Sequence, residues 1–239
     1  MSAVVLITGG SGGIGSALAK RLADEGVITV AASRTPGGDG IALDVTKADD
    51  WTRAVDEVLA RHGRLDALVN AAGTLGGAEQ GVLSAKPEQW LDVLNTHLVG
   101  TWLGCREVIG RGFGNPVSIV NLSSTAGMLA TPGMVAYGAA KAAVLHLTKS
   151  VALHCARNGL AVRCNAVAPA LVDTGLRDDV LATMPMSRDD AMSAYQARVP
   201  LGRLVSGDEV AETVAFLILR AGDSLTGETI TLSGGLGLA

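Results

Sequence analysis

Aromatic side chains are nearly absent: three tryptophans, two tyrosines and two phenylalanines, 3% of 239 residues. Since 48% of residues are hydrophobic all the same, small aliphatics must build the core. No basic cluster is present and the net charge is −4, which removes the electrostatic footprint of a nucleic-acid binder or of a protein held on an anionic membrane. No apolar run reaches the roughly 18 residues of a membrane span. The segment Met1 to Ile14 has no basic leader, so it does not read as a signal peptide. The three cysteines, Cys105, Cys155 and Cys164, are an odd number without metal-type spacing. They are expected as buried reduced thiols with no metal site, in a cytoplasmic protein. No repeat or low-complexity linker divides the chain, and its length suits one domain over residues 1–239.

Glycine is plentiful, and its placement is informative. Val4-Val5-Leu6-Ile7 reads as a strand buried on both faces, and Ser16 to Leu22 as a helix. Between them lies Thr8-Gly9-Gly10-Ser11-Gly12-Gly13-Ile14-Gly15. A glycine turn between strand and helix lets backbone approach a pyrophosphate, whose charge the free amides and positive end of the helix would hold. The second strand, Thr29 to Ala32, ends at Ser33-Arg34, where an NAD-binding protein of this kind places an acid on the adenosine ribose. Here a guanidinium stands instead, which suits a 2′-phosphate and favours NADP(H), with NAD(H) as the alternative. The plainer reading of Arg34 is a solvated loop charge. Asp44-Val45, ending the third strand, suit an adenine edge, or Asp44 caps the helix around Trp51 to Arg61.

Asp66 to Val69 is a fourth buried strand, and Asn70-Ala71-Ala72-Gly73 after it makes either a tight turn or room for a sugar. A loop from Gly76 through Glu79 precedes a long helix that begins at Pro87. Its apolar stripe continues through Trp90, Val93, Leu94, His97, Leu98, Thr101 and Trp102, with His97 expected to be buried and hydrogen-bonded. Val117 to Leu122 is the fifth strand, followed by Ser123 and Ser124. Tyr137 and Lys141, at i and i+4, then share one face of a helix running to about Arg157. An ammonium near a phenol is expected to pull its pKa from about 10 towards neutrality, making it a usable acid or base. A serine hydroxyl on the adjacent strand end could share a carbonyl oxygen with it. Strand six, Ala161 to Val167, ends in Ala168 to Thr174. Residues 175–199, polar and Met-rich, read as a substrate lid or a surface excursion, before a helix from Asp208 and a last strand, Glu228 to Leu232. The alternation describes an α/β fold, a doubly wound parallel sheet of about seven strands that binds ligands at its carboxyl ends.

These motifs, in this order and spacing, resemble the classical short-chain dehydrogenase/reductase family over nearly the whole chain. The resemblance implies a three-layer Rossmann fold, with Tyr137 as catalytic acid/base, Ser124 orienting the substrate oxygen, and Lys141 holding the nicotinamide ribose and lowering the Tyr137 pKa. It implies cofactor contacts from the Thr8–Gly15 turn, from Asn70, Ala71, Ala72 and Gly73, which would line the adenine side and steady the central sheet, and from Val172 and Thr174 at the nicotinamide end. His97 stands where the family's long helix carries an asparagine that holds a relay water. A neutral imidazole can donate and accept, and its titration near neutrality would add a pH dependence. Ala170 replaces the usual glycine after Pro169, and Gly12 stands where many NADP-users carry a basic residue. Stretches around Leu153 to Ala156, Val162 to Asn165 and Pro200 to Leu204 are similar to bacterial hydroxysteroid and cyclic-alcohol dehydrogenases, and acyl-carrier-protein reductases share much of the pattern. The expected partner is a small alcohol or ketone, in a homotetramer or homodimer. The readings this leaves are an alcohol dehydrogenase or ketone reductase, a 3-oxoacyl-type reductase, and a low-turnover cofactor sensor or scaffold on the same fold.

Overall fold

The computed structural model describes residues 2–77 and 81–238; Met1 and Glu79 lie outside the described residues. Within them run strands β1 (Val4–Thr8), β2 (Ile28–Ser33), β3 (Ile41–Ala42), β4 (Ala67–Asn70), β5 (Val117–Leu122), β6 (Val162–Pro169) and β7 (Thr229–Leu232). The helices are α1 (Gly13–Asp24), α2 (Ala48–His62), α3 (Pro87–Leu94), α4 (Gly100–Arg111), α5 (Val135–Arg157), α6 (Leu176–Leu181), α7 (Arg188–Ala197) and α8 (Gly207–Leu219). All strands join one sheet in the order β3-β2-β1-β4-β5-β6-β7. Every pairing is parallel. The winding direction reverses between β1 and β4, where Thr8 lies beside Asn70, and a crevice opens at such a switch point.

Strands β1, β4 and β5 are buried at every residue, as their unbroken apolar runs require. On one face, Leu18 and Leu22 of α1 and Val210 and Val214 of α8 pack on Val5, Ile7 and Val69. On the other, Trp51 and Val55 of α2, Leu103 of α4 and Val151 of α5 cover Leu6, Leu68 and Ile119. Three layers result. The cysteines are unpaired and buried, as expected.

Two expectations need revision. The helix from Pro87 is interrupted: Asn95–Val99 is a π turn, in which the Gly100 N–H reaches back five residues to the Asn95 carbonyl. Apolar spacing survives one widened turn, so the interruption leaves no trace in the stripe. Nor does Asp44 cap α2, whose N-cap residue is Lys47. Its carboxylate instead accepts from the Thr46 N–H at 3.1 Å and the Thr46 hydroxyl at 2.7 Å, closing a turn ahead of the helix.

Candidate active site

The glycine turn is held by contacts that exclude side chains. Gly9 has φ +66°, and a Cβ on Gly15 would stand 2.5 Å from the Gly9 carbonyl oxygen, backbone that cannot yield. Gly12 caps α1 with no side-chain hydrogen bond, so the first-turn amides keep no side-chain partner. That is an anion cradle. Beside it a cavity of about 360 Å³ is lined by Gly9, Ser11, Gly12, Ser33, Arg34, Thr35, Asp44, Val45, Ala71, Ala72 and Gly73 among others. Its size, the cradle and the guanidinium at its rim fit a phosphorylated dinucleotide's adenosine half. A wider open groove of about 650 Å³, at Ser2, Glu25, Gly26 and Arg220, carries none of the predicted residues. Thr46, Thr74, Asp92 and Thr96 also line the smaller cavity and escaped the sequence reading. Asp92 and Thr96 do share an i, i+4 spacing that could have flagged them.

Other predicted ligand residues lie outside that lining. The buried Thr8 hydroxyl accepts from the Ala71 and Ala72 amides at 3.1 and 3.2 Å, tying β1 to the end of β4. Asn70 turns into the core, where its Nδ2 donates to Asn121 Oδ1 at 2.9 Å and Asn121 Nδ2 donates to Thr148 Oγ1 at 2.9 Å. These two side chains brace the sheet, which for Asn70 is one half of the role that the resemblance implies. Ile14 packs on the α1 side of the core, and Val172 bridges to Val205. Thr174 lies so close to Gly13 that a Cβ there would meet its side chain at 2.6 Å, which places it on the glycine turn.

Ser124 follows β5, and Tyr137 and Lys141 lie in the first two turns of α5. The Ser124 hydroxyl donates to the Pro169 carbonyl at 3.3 Å and accepts from the Ala126 N–H at 3.1 Å. It also lies near enough to the Tyr137 phenol to oppose the rise of its pKa. Lys141 Nζ donates to the Leu122 carbonyl at 2.6 Å and stands 5.6 Å from the centre of the Tyr137 ring. The three groups are assembled, but the expected electrostatics are reversed. Burial pushes the Tyr137 phenol up to about 12, against the opposing pull of the Ser124 hydroxyl. Burial also pushes the Lys141 ammonium down to about 7. Desolvation outweighs attraction here, because the ammonium is aimed at a carbonyl rather than at the phenol oxygen.

His97, at the centre of the π turn, is 2% exposed and packs edge-on against the Tyr137 ring with centroids 5.2 Å apart. Its Nε2 lies 2.7 Å from the Thr74 carbonyl and 3.1 Å from the Thr74 N–H. One nitrogen cannot serve both, and the shorter contact selects the Nε2–H tautomer, leaving Nδ1 buried without a partner. Burial, then the Lys141 charge, lower its pKa to about 3 against the pull of the Thr74 carbonyl. The expected titration near neutrality is therefore overturned, and the ring stays neutral.

A pyridine-nucleotide fold with a Ser, Tyr and Lys set behind its crevice defines a class of oxidoreductase, and comparison places the chain within it. A family model described as enoyl-(acyl carrier protein) reductase matches residues 9–237. The 3-oxoacyl-[acyl-carrier-protein] reductase FabG of Thermotoga maritima is 34% identical over 249 residues, covering 98% of this chain and 97% of the relative. An actinorhodin polyketide ketoreductase variant solved with NADPH superposes with a TM-score of 0.89 at 32% identity, over 100% of this chain and 98% of that one. The 3-ketoacyl-(acyl-carrier-protein) reductase of Brucella melitensis, complexed with NADH, gives 0.85 at 29% identity over 98% and 97%. The chain belongs to the short-chain dehydrogenase/reductase family. No helix among the described residues is long and apolar enough to cross a membrane.

Proposed function

We propose that the chain is an NADP(H)-preferring ketone reductase working reversibly on secondary alcohols, with Tyr137 as its acid/base. The observation that carries this is the Ser124, Tyr137 and Lys141 assembly, joined through His97 and Thr74 to the cavity that fits the adenosine half at the β1/β4 switch point. A bound reduced nicotinamide would supply the hydride. Tyr137 donates its proton to the ketone oxygen, and the Ser124 O–H turns to the same oxygen as charge grows there. Lys141 supplies the positive charge that steadies the phenolate left behind. His97 acts as a neutral post between Tyr137 and Thr74. Gly9, Gly13 and Gly15 shape the turn on which the pyrophosphate rests, and Arg34 takes the 2′-phosphate. Residues 175–199 form the lid. The test is turnover of a ketone panel with NADPH and NADH, including a cyclic ketone and a 3-oxoacyl thioester; consumption with neither cofactor returns the chain to a sensor or scaffold.

Arg34 has no ion-pair partner among the described residues, so its fork is free for phosphate. Arg34→Asp is expected to weaken NADPH binding about 30-fold and leave NADH within about threefold, the scale of a lost charge-assisted pair. Equal losses for both cofactors would remove Arg34 from the discrimination.

Reduction needs the Tyr137 proton and the Lys141 charge. The phenol stays protonated to about 12, whereas Lys141 loses its proton through about 7. The kcat/KM for ketone reduction should therefore be level below pH 7 and fall above it. His97→Asn should leave the shape of that profile unchanged, since His97 is neutral throughout; a second inflection between pH 6 and 8, or one present in only one of the two proteins, would contradict this.

Assembly belongs to the same reading. Leu91, Trp102 and Leu153 are 59%, 45% and 50% exposed on α3, α4 and α5, apolar area that a homotetramer or homodimer would cover. A cytoplasmic location and an alicyclic or hydroxysteroid-like substrate complete it.

A further inference from the structure

The chain has two tyrosines, and the second is Tyr195 on α7, the longer of the two helices in residues 175–199. Its hydroxyl accepts a hydrogen bond from the Leu171 N–H at 2.9 Å. Leu171 lies two residues beyond the end of β6, where the neighbouring Ala170 N–H pairs with Leu232 and the Leu171 carbonyl receives the Val205 N–H. The Leu171 N–H itself has no backbone partner, and Tyr195 satisfies it. Two residues earlier, the Pro169 carbonyl accepts from Ser124. One short turn thus holds the catalytic serine at one end and the lid tyrosine at the other.

Apolar packing continues the connection. Leu171, Leu181, Ala191, Met184, Met192, Leu204 and the Tyr195 ring form one cluster under α6 and α7. Val180 belongs to this cluster and also packs in the one that contains Tyr137, together with Trp90, Leu94 and Met134. The lid's ion pairs, Arg177 with Asp173 and Asp178, and Arg188 with Asp178, lie on its exposed side within residues 173–188. They add little and reach no other element. The Tyr195 bond joins α7 to the Pro169–Leu171 turn, whereas the exposed Arg177–Asp173 pair ties α6 only to the residues just beyond that turn.

We propose that Tyr195 is a positioning residue, whose hydroxyl registers the closed lid against the Pro169–Leu171 turn and so aligns the lid with Ser124 over a bound ketone. The kinetic part of this rests on the ketone-reductase reading; the mechanical part does not. Burial raises the Tyr195 pKa further, so the hydroxyl keeps its proton and the latch has no pH switch in the working range.

The test is Tyr195→Phe in the full chain, which keeps the packed ring and removes one oxygen. Tryptic cleavage at Arg177, Arg188 and Arg198, followed with and without NADPH, is expected to speed up about tenfold, the scale of one buried hydrogen bond. The ketone KM should rise about tenfold with kcat within about threefold, because ground-state and transition-state holding are lost together. NADPH affinity should stay near wild type, and the thermal midpoint should fall by no more than about 3–6 °C, the shift that a tenfold change carries in a chain of this size. Wild-type cleavage rates overturn the proposal. So does an unchanged KM, and so does a matching loss of NADPH affinity and thermal stability, which would mark general loosening. If wild type turns over no ketone, the function proposed above fails, and cleavage alone decides the latch.

Discussion

Tyr137→Phe should lower kcat for ketone reduction by at least about 100-fold while NADPH affinity stays within about twofold. The two halves of this expectation come from different atoms. The ring is 8% exposed, meets His97 edge-on at 5.2 Å and lies under the Lys141 ammonium at 5.6 Å, and all of that packing survives in phenylalanine. The hydroxyl is what the variant lacks, and under the proposed function it carries the proton that the ketone oxygen takes. Neither neighbour can replace it: the Ser124 hydroxyl can hydrogen-bond to the ketone oxygen but is too weak an acid to give up its proton, and neutral His97 gives its one proton to Thr74. A burial-raised phenol is a weak acid in the resting protein, so its transfer depends on charge growing on the substrate oxygen, the kind of help that counts only in the transition state. Turnover by the variant within tenfold of wild type would remove Tyr137 from the chemistry. Lost NADPH affinity would show instead that the ring shapes the cofactor site.

The architecture was legible because parallel strands announce themselves. Val117 to Leu122 was read residue for residue, and the glycine turn fell where β1 meets α1. Motif position said less about which way a side chain faces. Thr8 and Asn70 stand in ligand-binding motifs, yet their polar atoms tie strands together, a distinction set by contacts 61 to 64 residues away and 51 residues away. His97 was readable as a buried histidine, but its tautomer depends on Thr74, 23 positions earlier, and its low pKa on burial that periodicity does not measure. The same gap reversed the reading of Tyr137 and Lys141. Their i, i+4 spacing correctly put them on one face, but spacing carries no information about desolvation, which decides the sign.

That reversal makes Lys141 a group held at the expense of stability, and Lys141→Met should expose this. The side chain is 5% exposed, and burial lowers it from 10.5 to about 7. Between those values the unfolded chain binds a proton that the folded chain does not, so stability falls as pH is lowered from about 10.5 and levels off below about 7. Near neutrality most of the cost is present, on the order of several kcal/mol at about 1.4 kcal/mol per pKa unit. Methionine fills similar space without a charge, at the loss of the 2.6 Å bond to the Leu122 carbonyl, whose unpaired state costs roughly 1–3 kcal/mol. The balance favours the variant by roughly 1–2 kcal/mol, which raises the thermal midpoint by about 3–6 °C in a chain of this size. The gain should shrink as pH rises towards 10, because wild type sheds its penalty there, and turnover should fall by at least about 100-fold throughout. Thermal scans of both proteins from pH 6.5 to 10, beside initial rates, measure the two effects together. A midpoint unchanged or lowered at pH 7, or a difference that ignores pH, would mean that the Leu122 bond fully offsets the cost of burying the ammonium.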